Sequence, residues 1–196
     1  MSKSDPSASK KERNKTIRWV VTIFFVTIVV SGAISLLSDY IMGVSGMIVA
    51  FLILLAIILV GIIFDIVGVA VASADEKPFH SMAARKVVGA QDAIKLLRNA
   101  ERVSSICNDV VGDICGVISG SASATIAAQV LQHMDFGWPQ VVGLVMSSLV
   151  AGLTVGGKAL GKTFAMSSCT EIISFVGRML YTIKNPAWLF KKKKKK

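Results

Sequence analysis

Asn108, Asp109 and Asp113, three residues whose oxygens could hold a cation, sit inside a stretch with no Lys or Arg, Val103 to Gln132. That stretch is about 30 residues long, enough to cross a bilayer. A carboxylate at mid-membrane opposes insertion by roughly 2.5–3.5 kcal/mol. A cation, a buried basic partner or a water-filled cleft has to offset that. Asp109 and Asp113 stand four apart and so share a helix face. The preceding apolar stretch carries one further carboxylate, Asp65, about eight residues before its end at Ser73. Asp109 lies six residues in from Val103 and Asp113 ten. At about 1.5 Å per residue the three carboxylates fall at similar depth. The spacing predicts a shared polar site. The alternative is three independent carboxylates at helix ends, each protonated or wetted by a thinned bilayer. Gly112, Gly116 and Gly120 repeat at helical spacing, with Ser119 and Ser123 beside them. This small-xxx-small row predicts a seam where a neighbouring helix packs closely.

The elements that must position these residues follow from the charge pattern. All 22 Lys and Arg fall in three blocks: Lys3 to Arg18, Lys77 to Arg102, and Lys158 to Lys196. The two gaps are each about 55 residues, room for two spans and a short turn. The positive-inside rule then predicts four transmembrane helices, both termini in the cytoplasm and a cytoplasmic loop over 75–102. The expected class is an all-α integral membrane protein of the plasma membrane. A 53% apolar composition with mean hydropathy +0.64 fits that class and not a soluble domain. The net charge of +10 therefore points to anionic lipid headgroups. No interleaving of aromatic and basic residues marks a nucleic-acid groove. Cys107, Cys115 and Cys169 form no C-x-x-C and read as small packing residues. With two His and no nucleophile–base pair in view, an enzyme is not expected.

Residues 1–16 read as a disordered basic N-terminus. The first span is expected over 17–38, with an outer turn at Ser38-Asp39-Tyr40. Ser31-Gly32-Ala33 also fits a signal-peptide cleavage site, but the apolar run past it to Leu37 favours a retained span. Within 75–102, Pro78 breaks the chain, and apolar spacing from Met82 to Leu97 predicts an amphipathic helix or helix pair. His80 reads as a surface histidine. His133 to Pro139 is an outer turn, and the fourth span runs from Gln140 to about Gly157. A juxtamembrane helix is expected over 163–183. Over 185–196, Trp188 with Lys191, Lys192, Lys193 and the lysines after them predicts a tail that binds the anionic leaflet.

Asn99-Ala100-Glu101-Arg102-Val103, Ile114-Cys115-Gly116-Val117-Ile118-Ser119-Gly120, Val71-Ala72-Ser73 and Gly157-Lys158-Ala159-Leu160-Gly161-Lys162, taken together, resemble the transmembrane domain of the cyclin-M/CorC (CorB) magnesium transporters. The resemblance covers the domain at 44–184 and leaves the first span as an addition. It implies a homodimer and an intramembrane cation site for Mg²⁺. The metal ligands would be Asp65, Asn108, Asp109 and Asp113, with Ser73 and Ser119, since Mg²⁺ takes oxygen ligands and keeps several waters. Gly112, Gly116 and Gly120 would pack the bundle. The departures are Lys158 where the family turn carries Glu and Gly161 where it carries Pro. The family's nucleotide-sensing CBS-pair domain is also expected to be lacking. Lys158 could pair with Asp109 or Asp113 as a tethered cation. The chain would then be a non-transporting scaffold, or a partner for a separately encoded cytoplasmic subunit.

Overall fold

A computed structural model describes residues 6–44, 46–133 and 139–185. Among these residues every regular element is helical. Four helices are long and apolar enough to span a membrane: Thr16–Ser38, Met47–Ser73, Ala100–Gln132 and Gln140–Ser167. The chain is thus an all-α, multi-pass membrane protein. Helices are the form that satisfies every backbone amide inside one segment when no water is present to do so.

Helix α1 (Pro6–Val44) carries the first span and lies mainly along α6. It starts well before the expected boundary, so residues 6–16 are helical and not irregular. It also runs through Ser38-Asp39-Tyr40, where the sequence predicts a turn; the chain breaks between Val44 and Met47. No proline or glycine stands at 38–40 to stop a helix that is already propagating. Helix α2 (Met47–Ser73) is the central element, contacting α6, α7 and α8. The charged segment after it, where one amphipathic helix or a pair is expected, folds as two short helices, α3 (Lys77–Ala84) and α4 (Ala90–Arg98). Pro78 stands in the first turn of α3, where its missing N–H costs nothing. The link between them turns through Lys86 and Gly89, both at positive φ.

The third span is one rod built from α5 (Ala100–Ser105), a π-helical stretch (Ile106–Gly112) and α6 (Asp113–His133). Helix α7 (Pro139–Ser167) does not end near Gly157 but continues ten residues further, to Ser167. Gly161 stands where the resembled family has its helix-breaking proline, and here it faces α2. The amphipathic helix α8 (Cys169–Lys184) follows after a break at Ser168, in place of the helix expected from 163. Of the outer turn expected from His133 to Pro139, His133 ends α6 and Pro139 begins α7; residues 134–138, and the tail after Asn185 with Trp188, Lys191, Lys192 and Lys193, lie outside the described residues.

Two apolar cores hold the bundle. One joins Ala50, Leu54 and Ile58 of α2 to Ala122 and Ile126 of α6 and Val150 of α7. The other joins Ala70 and Val71 of α2 to Phe79, Ala93, Ile94, Leu97, Ala165 and Ile173. Between them α2 presents Gly61, Asp65 and Gly68, all buried. The polar site sits in that gap.

Candidate functional site

Asp65 stands about 12 Å along α2 from Ser73, at 1.5 Å per residue, and is only 4% exposed. It meets Lys158 of α7: the ammonium Nζ lies 3.7 Å from Oδ1. The same ammonium donates to the backbone carbonyl of Gly112 at 3.5 Å. Among the described residues, Asp65 Oδ2 is buried with no hydrogen-bond partner. Asn108 comes from the π-helical stretch. Its amide nitrogen donates to Ser104 Oγ at 3.3 Å, while its Oδ1 is buried and unpartnered. Both unpartnered atoms are acceptors, and both belong to groups that a donor or a cation would satisfy.

Glycines make this arrangement possible. A Cβ on Gly68 would collide with Asn108 Oδ1, so α2 admits the amide only because residue 68 has no side chain. A Cβ on Gly61 would stand 2.9 Å from Cys115 Cβ. On Gly112 it would stand 3.3 Å from both Asp65 Oδ1 and Lys158 Nζ. Helix α7 uses the same device: Gly157 and Gly161, on either side of Lys158, receive Ile62 and Ile66 of α2. The backbones approach closely, and the lysine between the two glycines reaches across. The π turn contributes as well. Wider i→i+5 turns occur mostly as local bulges at functional positions and redirect the carbonyls and side chains of their stretch.

The structure thus brings together Asp65, Gly112 and Lys158, with Asn108 packed on Gly68, three residues along α2 from Asp65. The partner of Lys158 is Asp65, and not Asp109 or Asp113. Both of those carboxylates are exposed on the outer face of the rod, near Val117, itself 67% exposed. Ser119 is 1% exposed, and its hydroxyl donates to the Cys115 carbonyl at 2.7 Å. Ser73 is exposed at the end of α2. Of the expected glycine seam only Gly112 is in contact; a Cβ on Gly116 or Gly120 would meet open space. Among the described residues, no three His, Cys, Asp or Glu side chains converge as a metal-holding group. The close-packing glycines outside the expected row are Gly157 and Gly161 of α7 and Gly61 and Gly68 of α2, the last two in an apolar span. Their signal is present: two glycines seven apart, the spacing of one helix face, in an otherwise Ile-, Leu- and Val-rich run.

The donors at the tethered ammonium are therefore one carboxylate and one main-chain carbonyl, and the Asn108 amide oxygen lies against Gly68, three residues further along α2. Oxygen donors of this kind suit a hard cation, and the ammonium competes for the same oxygens. His80 is outside this site, 3.2 Å from Glu76 on the surface of α3. No family model, no curated protein and no solved structure matches the chain.

Proposed function

We propose that this protein is a cation-transport protein of the membrane, for Mg²⁺ or a similar divalent ion. In this reading Asp65, Asn108 and the Gly112 carbonyl form the intramembrane cation site. Lys158 occupies it in the resting state and withdraws when the ion enters. The observation that carries the proposal is the pair of buried, unpartnered acceptor oxygens along α2, Asp65 Oδ2 and Asn108 Oδ1, the first of them on the carboxylate that meets the Lys158 ammonium. A cation that displaced the ammonium would gain Asp65 directly, and water would complete its shell. The resemblance to the cyclin-M/CorC transporters supports the same reading.

Asp109 and Asp113 need cover in a membrane, because exposed carboxylates there are costly. A second copy of the chain, applied to the face of α6 that bears Gly116 and Gly120, would supply it, with both termini and the charged short helices on the cytoplasmic side of the plasma membrane. Gly116→Leu with Gly120→Leu would then leave the fold of one chain intact and abolish self-association in detergent. Unchanged self-association would show that this face meets lipid.

The test of transport is reconstitution into vesicles that hold a divalent-ion indicator. Flux in the wild type that is lost in Asp65→Asn supports the proposal. A second reading, favoured by the two contacts Lys158 already makes, is a scaffold with the lysine fixed in place. Absence of flux in both wild type and Lys158→Gln would select it.

A further inference from the structure

Away from the bundle site, α4, α8 and the link before α4 form an open cavity of about 420 Å³. Lys86, Lys95 and Lys184 all line it, with Gln91 and Asn185 beside them. One carboxylate, Asp92, is present, and it is engaged: Lys184 Nζ lies 2.7 Å from its Oδ1. Among the described residues of the wall, two lysines of the three are left without a counter-charge. Like charges gathered at one cavity repel each other, and the chain meets a further cost in placing them. Lys86 sits at φ 56°, a backbone conformation that a side chain-bearing residue rarely adopts. Strain of this kind persists only where surrounding structure imposes it. The imposing contact is visible. Gly89, at φ 87°, meets α8 backbone to backbone: a Cβ there would stand 2.5 Å from the Arg178 nitrogen, and a Cβ on Gly177 would stand 2.7 Å from the Gly89 carbonyl. The walls are locked at that crossing and part beyond it, which leaves the lysine-lined space.

The opposite side of α8 says where this cavity lies. Phe175, Met179 and Ile183 share that face and are 62%, 50% and 70% exposed. With Ile63 and Phe64 of the α2 span they line an apolar groove of about 580 Å³. Helix α8 therefore runs at the membrane surface, apolar on the side of the hydrocarbon and cationic at its polar end. Ile183 lines the groove and its neighbour Lys184 lines the cavity.

We infer that this cavity binds the phosphate of an anionic phospholipid headgroup, held by Lys86, Lys95 and Lys184 at the surface of the bilayer. Phosphate is the shared chemistry of a lipid headgroup and of a soluble phosphate ion; the apolar groove on the same helix assigns the lipid. This cavity is separate from the cation site.

The test uses the full chain in neutral detergent micelles. Melting temperature and lipid retention in native mass spectrometry are measured with phosphatidylglycerol, with phosphatidylcholine and with inorganic phosphate alone. Phosphatidylglycerol is expected to stabilise the wild type and to be retained, and phosphatidylcholine is not. Lys86→Gln with Lys95→Gln, both at exposed positions, is expected to weaken phosphatidylglycerol binding on the order of tenfold. Replacing Lys191 to Lys196 by Gln is expected to leave retention in the cavity unchanged. Equal retention by the wild type and the double variant would overturn the cavity as the site. An equal shift with inorganic phosphate alone would overturn the lipid as its occupant.

Discussion

Lys184 Nζ lies 2.7 Å from Asp92 Oδ1, and Lys158 Nζ lies 3.7 Å from Asp65 Oδ1. By distance the first contact is the stronger. Environment reverses the order. The Lys184 side chain is 57% exposed at the end of α8 and Asp92 10%, whereas Lys158 is 22% and Asp65 6% exposed inside the bundle. A pair whose lysine stands in water gains little from the contact, about 1 kcal/mol, because solvent screens it. A buried pair contributes little net stability over an apolar pair of the same size, but losing one partner strands the other charge. The bundle pair therefore governs what happens when one group is removed.

The comparison is broken most directly at Lys158. Lys158→Gln is expected to destabilise the protein by about 3–5 kcal/mol, since Asp65 is left buried and unpaired. For a chain of this size that is on the order of 10 °C in melting temperature. Thermal denaturation in detergent measures it, and a shift below about 2 °C would show Lys158 to be free of Asp65. Removing both charges, with Lys158→Met and Asp65→Leu together, should recover most of the loss. Additive losses in that double variant would show that the two side chains act separately.

Gly68→Ala ranks next. The added methyl must displace Asn108 Oδ1, at an expected cost of about 1–3 kcal/mol. Asn108→Ala in the same chain should remove most of that cost, and double-mutant thermal denaturation reads the coupling. The smallest effect belongs to the surface pair: Lys184→Gln is expected to cost at most about 1 kcal/mol. That small loss should shrink further in high salt, where exposed charges are screened. A Lys184→Gln loss matching that of Lys158→Gln would break the contrast between the two pairs.

Much of the fold is legible in the order of the residues alone. Long apolar runs separated by three basic blocks predict the spans, because hydrocarbon excludes charge and the chain pattern has to show it. Asp65 stands out for the same reason: it is the one charge in α2. Three features are not legible in that way. Helix α2 is apolar nearly all round, so hydropathy does not reveal its inward side or the packing role of Gly61 and Gly68. The π turn at Ile106–Gly112 breaks the 3.6-residue period on which a pairing of Asp109 or Asp113 with Lys158 depends. Those two carboxylates emerge on the outer face, and the Gly112 carbonyl turns to the lysine instead. Finally, Gly161 is not a turn residue here. Surrounded by helix formers and packed on Ile66, it lets α7 continue to Ser167. That is what puts Lys158 about 14 Å inside the end of its helix, at 1.5 Å per residue, level with Asp65.

The central claim is that Asp65, Asn108 and the Gly112 carbonyl form a cation site held by a tethered ammonium. Its most direct test is the melting temperature of wild type, Lys158→Gln and Lys158→Gln/Asp65→Asn, each with and without millimolar Mg²⁺. If the claim holds, Mg²⁺ raises the melting temperature of Lys158→Gln most, because the ion takes the place of the lysine. The wild type responds less, and the variant that also lacks the Asp65 carboxylate does not respond. A Lys158→Gln protein that melts at the same temperature with and without Mg²⁺, or one whose response survives the loss of Asp65, would contradict it.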